Sequence, residues 1–131
     1  LRRSGLPPKA LDETARGVRL LAEAAQQHGA RVLVVVIPDR VQVLDPKAER
    51  LLRALPALAG DVDMDLTSRE FVPRLEAIPE IDRVVDLLPI LRAHTDPADW
   101  GANDGHFSPQ GHARVFDAIR EPVRALLAAK D

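Results

Sequence analysis

The chain has 131 residues, 18 basic and 20 acidic, for a formal charge of −2. At roughly 100 to 200 residues per domain this is one folding unit. A composition of 46% hydrophobic and 29% charged residues excludes disorder. No apolar run approaches the length of about 18 residues that a membrane span needs. Basic and acidic side chains interleave, and there are three Phe, one Trp and no Tyr. That combination supplies neither a phosphate-tracking surface nor a base-stacking platform, so no nucleic-acid partner is expected. The absence of cysteine removes disulfides, thiolate metal sites and thiol catalysis from this sequence. The sequence starts at Leu1 with no signal-peptide pattern, and with no initiating methionine a natural N-terminus is expected to be missing.

Apolar positions Leu11, Ala15, Val18, Leu21, Ala22 and Ala25 predict an amphipathic helix over Leu11 to His28, stopped by Gly29. Val32 to Ile37 is apolar on both alternating faces and mostly β-branched, the pattern of a parallel strand covered by helices on each side. Pro38 and Asp39 end it. Asp45 and Pro46 read as the N-cap and first position of a helix carrying Leu51, Leu52 and Leu55 up to Pro56. Thr67-Ser68-Arg69-Glu70 fits a capping box for a helix with Phe71, Leu75 and Ile78 inward, which Pro73 would strain. A second strand is expected at Arg83 to Leu87 and a brief helix around Pro89 to Ala93. His94 to Phe107 is a long polar loop. The last helix has Ser108 as N-cap, Pro109 in its first turn, a bend at Pro122, and Val115, Phe116, Ile119, Val123, Leu126 and Leu127 facing inward.

This order predicts an α/β fold with parallel strands joined by right-handed crossovers. Two short strands cannot cover both faces and both edges of a segment as apolar as Val32 to Ile37. Its neighbours are expected either in a missing N-terminal segment or in a second copy of the chain, with exposed apolar surface or self-association as the consequence.

The stretch Asn103 to His112 carries the most chemistry. In Asp104-Gly105-His106 a carboxylate stands two residues before an imidazole across a glycine, so a local turn can bring the two together. Such a pair fixes the histidine tautomer and raises its basicity. Placed ahead of a helix, it belongs at the rim where the carboxyl ends of parallel strands open into a crevice, and Pro38, Asp39 and Arg40 are expected on the same side. His112 reads as structural, Asp86 as a helix cap and Arg40 as a solvated strand-end charge. Asp61-Val62-Asp63-Met64-Asp65 mimics a calcium loop, but Leu66 and Val72 stand where glycine and glutamate are needed. His94, Asp96, Asp99, Asp104, His106 and His112 could contribute ligands to a hard metal or zinc, without a tight histidine pair to support it. No glycine-rich phosphate motif occurs, and no cofactor is expected.

The string Asp-Gly-His-Phe-Ser-Pro-Gln-Gly-His, with the preceding helix, a strand ending in Ile37-Pro38-Asp39 and another ending in Val85-Asp86-Leu87, resembles the later half of the SGNH (GDSL-type) hydrolase superfamily. The resemblance covers nearly the whole chain. It implies a partial three-layer, flavodoxin-like α/β fold with few parallel strands flanked by helices. It also implies Asp104 as orienting acid and His106 as general base of a Ser-His-Asp triad acting on a small-molecule or carbohydrate ester. Many members place three steps between the two residues, and the two-step spacing here resembles the branch that includes sugar O-acetyltransferases. The family's nucleophile block and oxyanion blocks are absent. Of the serines present, Ser4 lies near the start, Ser68 at a helix start, and Ser108 is committed to capping. The expected parent is therefore an esterase or acyltransferase of which this chain alone is silent. The alternatives are a non-catalytic carbohydrate- or protein-binding domain on the same fold, or a metal-dependent hydrolase.

Overall fold

The computed structural model describes residues 8–44, 54, 63–101 and 105–129. Helix α1 (Pro8–Gln27) ends where Gly29 takes a left-handed conformation at φ 71°. There the N–H of Gly29 reaches Gln26 O and that of Ala30 reaches Ala25 O, which satisfies the last carbonyls of the helix. The strand β1 (Leu33–Val36) follows, then the short helix α2 (Arg40–Leu44). After the undescribed stretch come a π-helical turn (Thr67–Phe71), α3 (Val72–Glu76), β2 (Arg83–Asp86) and α4 (Leu87–Ala93). A 3-10 turn (Pro97–Asp99) and the long α5 (Pro109–Ala128) complete the order.

The strands β1 and β2 pair in parallel, Leu33 with Arg83 through Val36 with Asp86, so the fold is mixed α/β around a small sheet. Asp82 pins the register at the amino end. Its carboxylate accepts the Val32 N–H and the Arg31 Nε–H, both at 2.6 Å, and its own N–H reaches Val32 O. The Val32 N–H, helped by the Arg31 guanidinium, holds the Asp82 carboxyl below the usual carboxylate range. Strand alternation sends side chains to two cores. Val34, Val36 and Val84 meet Ala15, Leu75 and Ile78 under α1 and α3, whereas Leu33 and Val35 meet Leu87, Leu88, Leu91, Trp100 and the inner face of α5.

Most expected elements are present, with shifted ends. The capping box at Thr67 to Glu70 does not form. Leu66 is already helical and makes no side-chain cap; the preceding Asp63 accepts the Asp65 N–H and pairs with Arg69, while Glu70 turns to Arg74. Pro73 is accommodated because it falls in the first turn of α3, where a missing N–H costs little. The π turn before it closes through the Val72 N–H to Thr67 O. Helix α2 was not anticipated, and the helix expected after Asp45 lies outside the described residues.

The inward set expected on α5 needs correction. Val115 and Ile119 join the core, but Phe116 is 58% exposed, Leu127 63% and Val123 38%. These three lie on one flank of the helix, and nothing described covers that flank.

Candidate functional site

Trp100 and Phe107 form the neck of the loop that holds His106. Their backbones make an isolated antiparallel bridge, the Gly101 N–H donates to His106 O at 2.8 Å, and the two rings lie 4.5 Å apart. Trp100 is buried against the α4–α5 core, so the neck is fixed by apolar packing as well as by hydrogen bonds. Below the neck, the Ser108 N–H donates to Asp99 O at 2.9 Å. Asp99 is only 2% exposed, and its Oδ2 accepts the Arg114 Nε–H at 2.6 Å. Its Oδ1 has no hydrogen-bond partner among the described residues.

Gly111 lets this stem close. A Cβ there would lie 2.0 Å from Asp99 O and 3.0 Å from the Phe107 ring, so only glycine allows the first turn of α5 to approach the 3-10 turn so closely. Ser108 and Asp86 cap as expected, and Asp96, considered above only as a possible metal ligand, is a cap as well. Ser108 Oγ accepts the Gly111 N–H at 3.2 Å and donates to Ala98 O at 2.5 Å. Asp96 caps the 3-10 turn through the Ala98 N–H and takes Gln110 Nε2 at 2.8 Å. Asp86 caps α4 through the Leu88 N–H at 3.0 Å.

The rim of the sheet meets this loop. Arg40, at the start of α2 and just past the end of β1, donates from Nη1 to Gly101 O at 3.1 Å. The carboxyl end of β1 and the His106 loop are thus on one side of the sheet, as the order of elements implied. Arg40 was read as a solvated charge, but it is half-buried and serves as a strut. His106 itself is exposed. Asp104 lies outside the described residues, as do Ala102 and Asn103. His112 makes an edge contact with the Phe107 ring at 5.8 Å.

Among the described residues no three histidine or carboxylate side chains gather as metal ligands, and Asp96 and Asp99 are each engaged in the local bonds given above. Ser68 Oγ is buried without a hydrogen-bond partner among the described residues. Its π turn packs with α1 and α3, on the opposite face of the sheet from α5. No described helix is long and apolar enough to cross a membrane.

Sequence reasoning missed the Asp99–Arg114 pair. Gly111 inside a helix start was the available signal, because glycine in a helical pattern marks a close backbone approach. Compared with family models, with curated proteins and with solved structures, the chain matches none.

Proposed function

We propose that this chain is the C-terminal part of an SGNH-type ester hydrolase or O-acyltransferase, with His106 as general base and Asp104 as its orienting acid. The support is the strut from Arg40 to Gly101 O, which ties the carboxyl end of β1 to the loop bearing the histidine. In this reading the nucleophilic serine lies outside the present sequence. His106 takes the hydroxyl proton as that serine attacks the acyl carbon and returns it to the departing alcohol. Water or an acceptor alcohol then gives its proton to His106, attacks the acyl-enzyme and frees the serine. The ester is a small-molecule or carbohydrate ester. Ser108 is not the nucleophile, because its hydroxyl caps α5 and donates to Ala98 O.

Two measurements test the reading. In ¹⁵N spectra His106 should occupy the Nδ1–H tautomer and lose that preference in Asp104→Ala; a tautomer indifferent to that substitution removes the pairing. The 131-residue chain should not turn over p-nitrophenyl acetate. Turnover abolished by His106→Ala but preserved by Ser108→Ala would place a nucleophile inside this sequence and overturn its assignment to a missing segment.

A further inference from the structure

Asp99 is a buried carboxylate that the proton transfers proposed above do not use. It is 2% exposed, the Arg114 Nε–H meets its Oδ2 at 2.6 Å, and its Oδ1 has no hydrogen-bond partner among the described residues. As a source of stability this arrangement is poor. A buried ion pair is often matched by apolar side chains of similar volume, and an unmet buried acceptor is costly. What the charged pair supplies and a methyl group does not is direction, because the bond forms along one line between one nitrogen and one oxygen.

That direction bears on His106 through the stem of its loop. The main-chain O of Asp99 accepts the Ser108 N–H at 2.9 Å and lies against Gly111, while its carboxylate reaches Arg114, three residues further along the same face of α5. Asp99 is thus fixed to the first two turns of α5 through both backbone and side chain. The next residue, Trp100, bridges to Phe107, and the one after it, Gly101, donates its N–H to His106 O at 2.8 Å. Gly101 O in turn accepts Arg40 Nη1 at 3.1 Å. The residue to which His106 is bonded is therefore set from α5 through Asp99 and from the end of β1 through Arg40.

We propose that Asp99 and Arg114 are positioning residues for His106. Their bond fixes the rotation of the 3-10 turn on α5, and with it the place of Gly101 and of the histidine held by Gly101. The use made of this placement rests on the reading of His106 as general base; the placement itself does not.

Position is separated from stability by replacing both partners. Asp99→Leu with Arg114→Met removes the pair but keeps its bulk, and should leave the urea midpoint close to the parent's. In that protein the Gly101 amide should exchange about tenfold faster, the scale of one lost hydrogen bond. His106 should also lose its Nδ1–H preference in ¹⁵N spectra. Two single variants ask the same question should the double variant not fold. Asp99→Asn keeps an acceptor for Arg114 Nε without the charge and should retain both signatures. Arg114→Lys keeps the charge without the planar Nε donor and should lose them. Arg124→Met breaks an exposed pair with Glu121 on the same helix and should change neither. Parent-like Gly101 exchange and His106 tautomer in the double variant or in Arg114→Lys overturn the proposal. So does an Asp99→Asn protein as loose as Arg114→Lys, or faster exchange spread evenly over the whole fold. Faster Gly101 exchange in Arg114→Lys, with no Nδ1–H preference at His106 even in the parent, upholds the placement and removes the hydrolase reading.

Discussion

Two glycines in helices should respond oppositely to the same substitution. Gly17→Ala adds a methyl where nothing lies within 4 Å, and alanine is about 1 kcal/mol better than glycine in a helix interior. It should stabilise the protein by roughly 0.5 to 1 kcal/mol. Gly111→Ala gains at most a similar propensity, since it lies in the first turn of α5. It must also place a carbon 2.0 Å from Asp99 O, more than 1 Å inside the usual contact distance of about 3.3 Å. The obstacle is backbone, so no side-chain rotation relieves it. The start of α5 has to withdraw, which strains the Ser108 N–H to Asp99 O bond and the Arg114–Asp99 pair. Overpacking costs about 1 to 3 kcal/mol and a weakened hydrogen bond about 1, so a net loss of about 2 kcal/mol is expected after the propensity gain. Urea unfolding followed by circular dichroism gives both values, with unchanged m-values showing that stability alone has moved. A Gly111→Ala protein as stable as the parent would show that the 3-10 turn and α5 do not meet at this distance.

Three further outcomes follow from the same stem and from the sheet register. Asp99→Ala leaves the Arg114 guanidinium without its buried partner and should cost about 2 kcal/mol, below the roughly 3 to 5 of a fully buried pair because Arg114 still reaches solvent; equal midpoints in urea would contradict it. Ser108→Ala should cost about 1 kcal/mol by removing an N-cap, again read from the urea midpoint. Asp82 ionises more readily in the folded chain than in the unfolded one, so its contribution is present above the unfolded carboxylate value of about 3.9 and is lost as pH falls through the lower folded value. Asp82→Asn should therefore shallow the decline in stability below about pH 4 while lowering stability at neutral pH, and a parallel acid limb in the two proteins would count against the assignment.

What the sequence made legible was whatever periodicity and caps encode locally. The spacing of Ala15, Val18 and Ala22, the Gly29 stop, the β-branched run of β1, and the Ser108 and Asp86 caps each depend on neighbours within a few residues, and each is found in place, whereas Leu21, expected on the same face of α1, is 73% exposed because it falls beyond the edge of the buried stripe. Contacts between distant segments were not legible. Arg40 reaching Gly101 and Asp99 meeting Arg114 join residues whose separation carries no periodic signal. The inward face assigned to α5 failed for a related reason. Phe116, Val123 and Leu127 are apolar at helical spacing, and periodicity alone does not distinguish a flank buried in this core from one left exposed.

Charged side chains tie one side of the small sheet to its connections, while several apolar side chains on the other are exposed among the described residues. On the β2 side, Asp82, Glu80 and Arg74 tie the strand and its connections to β1 and α1. On the β1 side, Leu21 of α1, Phe116 and Leu127 of α5, and Ile37 at 59%, are exposed among the described residues. Ile37 immediately follows β1, three residues before the Arg40 strut that holds the His106 loop. The Arg40 guanidinium thus holds the carboxyl end of β1 and the stem of the His106 loop together as one unit.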